Sequence, residues 1–182
     1  MVCDFTFDEI KNFDAGYFFY KSKTNIKVPS LNKVLKEVFS KKKSINIELK
    51  PNKGLEKLNV EKIVNEIENF SLKKIFFSSF DLKSCISLKE KLPNSLCGFL
   101  NDDFSCINLN DTIDICKRYD FFSCGVGFKS FSESILNELM SQDILVTVYS
   151  ETNISITEAQ NLWNKNVASV FVDDPTDYLG NF

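Results

Sequence analysis

Short apolar runs alternate with amphipathic runs down most of this chain, and that alternation limits the folds open to it. Ile45–Leu49 reads as a strand stopped by Pro51 and Gly54, and Val60, Ile63, Val64, Ile67 and Phe70 follow at helical spacing. Lys74–Ser79 is a strand rich in Ile and Phe. Asp81–Lys91 is a helix closed by Pro93 and Asn94, and Leu96–Leu100 is the next strand. Asp111–Tyr119 reads as a helix capped at Asn110 or Asp111, Phe121–Val126 as a strand, and Phe131–Met140 as a helix with Ile135, Leu136 and Leu139 on one face. Ile144–Tyr149 is a strongly apolar strand, Thr157–Asn164 a helix, and Ser169–Val172 the last strand, ended by Asp173-Asp174-Pro175. Strands this short and apolar, each followed by an amphipathic helix, imply a parallel sheet covered by helices. A repeat of about 25 residues suits the βα units of a barrel or of an open doubly wound sheet, and periodicity does not choose between them.

Residues 1–43 precede this alternation and read differently. Thr6 caps a short turn over Phe7-Asp8-Glu9-Ile10, with Glu9 three residues on. Asp14-Ala15-Gly16 is a turn, and Ser30 caps a helix in which Leu31, Val34, Leu35 and Val38 recur at helical spacing. The whole chain of 182 residues fits one domain, and 43% hydrophobic with 26% charged residues is a globular balance. Its 18 Phe, paired at Phe76-Phe77 and Phe121-Phe122, imply thick buried layers.

Several function classes drop out on composition. Arg118 is the only Arg, the formal net charge is −3, and no basic stripe forms, so nucleic acid is not an expected partner. Lys41-Lys42-Lys43 reads as a solvated loop. The 6 Cys form no Cys-x-x-Cys pair and have no His to complete a zinc set, so they read as reduced thiols of a cytoplasmic protein. No apolar run reaches membrane-spanning length, and Met1-Val2-Cys3-Asp4 carries no secretion signal, so no membrane association is expected. No Gly-rich phosphate loop follows any strand; Gly125-Val126-Gly127 reads as a need for backbone space. The chain contains no His, so an imidazole acid, base or nucleophile is not among its groups.

The segment richest in chemistry is Ile45-Asn46-Ile47-Glu48-Leu49-Lys50-Pro51. Polar and apolar residues alternate there at the C-terminal end of a strand. In a parallel barrel, alternate residues point inward and that end is the rim where sites form. Asn46, Glu48 and Lys50 would share the inner face. A carboxylate and an ammonium taken out of water are costly unless they pair or hold a ligand. A plain Glu–Lys pair on a solvated strand face fits the same pattern equally well.

The segment Asn46-Ile47-Glu48-Leu49-Lys50-Pro51 resembles the third-strand signature of the glycerophosphodiester phosphodiesterase family. Further matches follow in family order. Thr6-Phe7-Asp8-Glu9-Ile10, Asp14-Ala15-Gly16-Tyr17-Phe18 and Val28-Pro29-Ser30-Leu31 resemble the family's insertion segment and the helix after it. Phe77-Ser78-Ser79-Phe80-Asp81 resembles the fourth-strand ending, and Leu145-Val146-Thr147-Val148-Tyr149-Ser150 with Asn153 the seventh strand. Trp163 through Val170-Phe171-Val172-Asp173-Asp174-Pro175 resembles the last helix and strand, with Asp173 where the family commonly has Thr, and Gly180-Asn181-Phe182 suits a family C-terminus. The resemblance implies an α/β fold, a (β/α)₈ TIM-type barrel that is incomplete, with strands three to eight and a remnant of the insertion segment. Residues 1–182 would form one truncated domain, with the insertion remnant and a helix in 1–43 and six βα units in 44–182.

The resemblance also implies the chemistry. Family members are metal-dependent phosphodiesterases that hydrolyse glycerophosphodiesters to sn-glycerol 3-phosphate and an alcohol, in glycerophospholipid breakdown. Glu48 would be a ligand of a divalent cation, Ca²⁺ or Mg²⁺; Lys50 would contact the substrate phosphate; Tyr149 would line the pocket near the glycerol. A strand-end aromatic such as Tyr149 also serves plain packing. The family's first strands carry His-Arg, a Glu-x-Asp metal pair and a His-Asp motif, and none of these occurs in this sequence. The expectation is therefore a chain that is inactive and a poor cation binder by itself. It would be completed by an N-terminal fragment or would self-associate through open sheet edges. Two alternatives stay open: a non-catalytic module that binds phosphate or a glycerophosphodiester, and an open flavodoxin-like interaction module.

Overall fold

The computed structural model describes residues 4–179; Met1-Val2-Cys3 and Gly180-Asn181-Phe182 lie outside the described residues. The lead-in holds two single-turn helices and a longer one: α1 (Phe7–Ile10), α2 (Tyr17–Tyr20) and α3 (Leu31–Ser40). Thr6 and Glu9 make the reciprocal capping box on α1, and the Ser30 hydroxyl accepts from the Lys33 N–H at the start of α3. The alternation then runs β1 (Ile45–Glu48), α4 (Glu56–Ile67), β2 (Ile75–Ser79), α5 (Leu82–Lys91), β3 (Leu96–Asn101) and α6 (Leu109–Arg118). It continues through β4 (Ser123–Gly127), α7 (Glu133–Met140), β5 (Leu145–Tyr149), α8 (Ile156–Asn164) and β6 (Ser169–Val170). The cap of α6 lies earlier in the chain than Asn110 or Asp111: Asn108 is the N-cap, and its carboxamide oxygen accepts from the Asp111 N–H at 2.9 Å.

All six strands are parallel and pair in chain order, β1-β2-β3-β4-β5-β6. Every helical crossover therefore advances the chain by one position in the same direction. A doubly wound sheet reverses its order at an internal switch point, so the flavodoxin-like alternative is excluded by this topology. The order is that of barrel units.

The register divides the sheet residues between two faces. Phe77, Cys97, Phe99, Cys124, Val126, Val146 and Val148 share the outer face, under the helices, and each is no more than 1% exposed. With Leu88, Cys116, Leu136, Leu139 and Leu162 from the helices they form one apolar core. Burial on this scale, at ~25 cal/mol per Å² of apolar surface, is what holds a sheet under a helical layer. Asn46, Phe76, Ser78, Leu100, Thr147 and Ser169 lie on the other face and line one cavity of about 330 Å³. Asn46 belongs to the first strand and Ser169 to the last, so the sheet curls far enough for its two edges to border the same space. Gly125 makes this curvature workable, because a Cβ there would collide with the Leu100 side chain lying across it. Among the described residues no helix is long and apolar enough to cross a membrane.

Candidate active site

The inner-face residues at the C-terminal ends of the strands make a rim, where parallel βα folds place their sites. Glu48 closes β1, and Lys50 follows on the same face two residues later. The Lys50 Nζ lies 3.3 Å from Glu48 Oε1; the Lys50 side chain is 74% exposed and that of Glu48 31%. Glu48 Oε1 itself is buried and has no hydrogen-bond partner. The two groups thus form an ion pair without a hydrogen bond, and the carboxylate keeps an unsatisfied oxygen. Neighbouring groups fix the strand end: Asn46 Nδ2 donates to Ser78 Oγ at 2.9 Å, and Ser79 Oγ donates to the Leu49 carbonyl at 2.6 Å. Lys50, Pro51, Phe80 and Asp81 border one cavity of the rim.

Tyr149 closes β5 opposite Gly127 of β4. Its phenol donates a hydrogen bond to Asp102 Oδ1, just past β3. Its ring meets Phe80 edge to face, centroids 5.2 Å apart. Phe80 therefore stands between the Lys50 side of the rim and the Tyr149 side. Gly127 lies against the pair: a Cβ there would make ordinary contact with Asp102 Oδ1 at 3.5 Å and with the Tyr149 hydroxyl at 3.7 Å. Burial, the Asp102 hydrogen bond and the nearby charges of Asp102 and Glu48 push the Tyr149 phenol well above the usual tyrosine range. Lys129 and Glu151 pair at 2.5 Å on the outer lip, both largely exposed.

The structure brings Glu48 and Lys50 together and holds Tyr149 across the rim, joined to them through Phe80. It adds Asp102, which the sequence did not mark: Asn101-Asp102-Asp103 reads as loop, and only the curl of the sheet carries Asp102 to a residue 47 positions away. A divalent cation of the Ca²⁺ or Mg²⁺ type takes about six or more oxygens. Glu48 Oε1 suits one such position. Among the described residues no three Asp, Glu, Cys or His side chains gather into a metal-holding group, so these residues fit one corner of a cation site and not a complete one.

Comparison with known proteins places this geometry. The model of the Glycerophosphoryl diester phosphodiesterase family matches residues 1–177. A glycerophosphodiester phosphodiesterase of Bacillus altitudinis is 24% identical over 189 residues, covering 96% of this chain and 71% of that protein. Another, from Caldanaerobacter subterraneus subsp. tengcongensis, is 31% identical over 100 residues, covering 54% of this chain and 41% of that protein. Among solved structures, an Oleispira antarctica phosphodiesterase in complex with the product sn-glycerol-3-phosphate superposes with a TM-score of 0.82 at 19% identity, covering 94% of this chain and 68% of that one. A glycerophosphodiester phosphodiesterase from Agrobacterium tumefaciens gives 0.70 at 16% identity, covering 96% of this chain and 71% of that one. At these identities the solved structures establish the barrel-type fold.

Proposed function

Since the chain belongs to the glycerophosphoryl diester phosphodiesterase family, we propose that its rim is the phosphate-holding part of an active site that hydrolyses a glycerophosphodiester to sn-glycerol 3-phosphate and an alcohol. The observation that carries this reading is the pair at the end of β1: an exposed Lys50 ammonium 3.3 Å from a Glu48 carboxylate oxygen with no hydrogen bond of its own. The product bound to the Oleispira antarctica relative supports the same product class.

Hydrolysis of a phosphodiester builds negative charge on the phosphoryl oxygens, and a fixed ammonium beside them is stabilising because the charge is met without reorganising water. Lys50 takes that role. Glu48 keeps the ammonium at the inner face and would offer one carboxylate oxygen to a divalent cation, Ca²⁺ or Mg²⁺, when one is bound. The attacking water has to lose a proton and the leaving alcohol has to gain one. These 182 residues hold no His for either transfer. The Tyr149 phenol, tied to Asp102 and raised well above its ordinary range, is a poor acid near neutrality. In this reading the 182 residues grip the diester but do not turn it over by themselves. The exposed edges of β1 and β6 are where a segment carrying the histidines would pair.

The test is hydrolysis of a glycerophosphodiester with Ca²⁺ or Mg²⁺ present, by the 182-residue protein and then by a mixture with the first two strands of a family member. No turnover alone, and turnover in the mixture that Glu48→Ala abolishes, is the expected result. Metal-dependent turnover by the 182 residues alone would overturn the need for histidine. Binding of sn-glycerol 3-phosphate with no turnover in either sample would favour a non-catalytic binding module.

A further inference from the structure

The Tyr149–Asp102 pair separates two kinds of ligand group across the rim. A phenol has one hydrogen, and its oxygen also accepts. Here the hydrogen points to Asp102, because a carboxylate is the strongest acceptor in reach. Asp102 is itself held on a firm support. The buried Asn101 beside it donates from Nδ2 to Thr112 Oγ1 and to the Ile107 carbonyl, both at 2.9 Å, and accepts from the Asp103 N–H at 3.2 Å. Ser130 Oγ donates to the Asp102 carbonyl at 3.2 Å. Phe80 meets the phenol ring edge to face. The Tyr149–Asp102 pair itself therefore offers a ligand oxygen lone pairs and a negative charge, the neighbouring Lys129 ammonium being paired with Glu151, while Lys50 offers N–H donors and a positive charge.

We propose that Asp102 is a positioning residue for Tyr149: by taking the phenol proton it turns Tyr149 into an acceptor that holds the hydrogen-bond-donating end of the substrate, a hydroxyl or an ammonium, on the side away from the phosphate. The proposal rests on the phosphate-site reading of Lys50 and adds the polarity of the opposite wall. A phosphate ester near neutrality has acceptor oxygens, so Tyr149 beside the Asp102 charge turns it away. Donors come from two sources in a glycerophosphodiester, the glycerol hydroxyls or the ammonium of an amino-alcohol head group, and both meet the same acceptors.

Calorimetric titration of the 182-residue protein with inorganic phosphate, sn-glycerol 3-phosphate and O-phosphoethanolamine tests this. Phosphate alone reads the Lys50 side. The glycerol ester adds hydroxyls and the ethanolamine ester adds an ammonium, so the ester that gains identifies the donor. One ester is expected to bind about tenfold tighter than phosphate, the worth of one or two well-made hydrogen bonds. Asp102→Ala and Tyr149→Phe are each expected to remove that margin, the double variant to remove no more, and phosphate affinity not to fall in any of the three. Losses that add, equal weakening of phosphate, or no margin for either ester while phosphate binds would each overturn the proposal. If phosphate does not bind, or binds equally well to Lys50→Ala, the Lys50 reading fails instead. Ultraviolet titration then decides the Asp102 claim by itself. The Tyr149 ionisation, isolated by difference from Tyr149→Phe, is expected at lower pH in Asp102→Ala, and an unmoved transition overturns it.

Discussion

Lys50 and Glu48 show how much one strand end sets at the scale of the residue. Lys50 is an exposed cation whose neighbour leaves an acceptor oxygen unfilled. Truncating it to Ala removes the ammonium paired with Glu48, and calorimetry is expected to find phosphate binding weakened at least about tenfold, since hydrogen bonds to charged groups are worth about 1.5–3 kcal/mol. Lys129→Ala, on the far lip and paired with Glu151, is expected to leave phosphate affinity within about twofold, because an exposed pair contributes little. The Glu48–Lys50 pair was legible in the sequence because polar residues alternate with apolar ones along a strand of period two. Asp102 was not. It has no periodic partner, and its role exists only once Tyr149 has been folded over against it.

At the scale of the element, a cap and a layer of thiols carry the testable consequences. Asn108 accepts from the Asp111 N–H and caps α6, so Asn108→Ala is expected to cost about 1 kcal/mol in urea unfolding, whereas Asn110→Ala, inside the helix, is expected to cost far less. The sequence reading located this helix but put its cap two or three residues late. Asn108, Asn110 and Asp111 are all good capping types, and backbone geometry chooses among them. The four-residue α2 escaped it altogether, because Tyr17-Phe18-Phe19-Tyr20 has no apolar period; what defines the turn is Asp14, whose carboxylate accepts from the Gly16 N–H at 3.1 Å and the Thr24 N–H at 2.5 Å. Cys85 and Cys124 lie fully buried between helix and sheet. Contact with Cys97 and burial push the Cys85 thiol far up, and contact with Cys116 and burial do the same for Cys124. A thiol whose pKa is raised in the folded state keeps its proton there while the unfolded chain loses it near its ordinary value, about 8.5. Stability from these groups is full below that pH and declines as pH rises above it. Urea midpoints measured from pH 7 to pH 10 are expected to fall, with a shallower fall in Cys124→Ala after allowance for the cavity it leaves.

For the whole molecule the decisive feature is strand order. The sequence carried six strands and their helices at nearly the right places, yet it could not say whether the strands ran in order, since a barrel segment and a doubly wound sheet share the same βα spacing. Contacts between strands distant in sequence settle that, and they leave no periodic trace. The concave face that results is lined by Phe76, Leu100 and Phe171 around a space of about 330 Å³, and Leu145 beside it is 50% exposed. An apolar fluorescent dye is expected to bind there in the native state, and Leu100→Asp to abolish the signal if the protein still folds by circular dichroism. Loss of signal without loss of fold checks the cavity as the dye's location; an unchanged signal places the dye elsewhere.

The same unbroken order has a kinetic consequence. Within the sheet each strand pairs only with the strand before it and the strand after it, so the chain is close to a one-dimensional array in which neighbours stabilise neighbours. In such an array the interior repeats have two supports and the end repeats have one. Amide exchange is expected to be slowest in β3 and β4 and to quicken step by step toward β1 and toward the two-residue β6. Lys50 and Glu48 sit in the outermost repeat on one side, so the groups assigned to the phosphate ride on the part of the sheet that opens most readily, and a phosphate ester that engages them is expected to slow exchange in β1 and β2 before it affects β4.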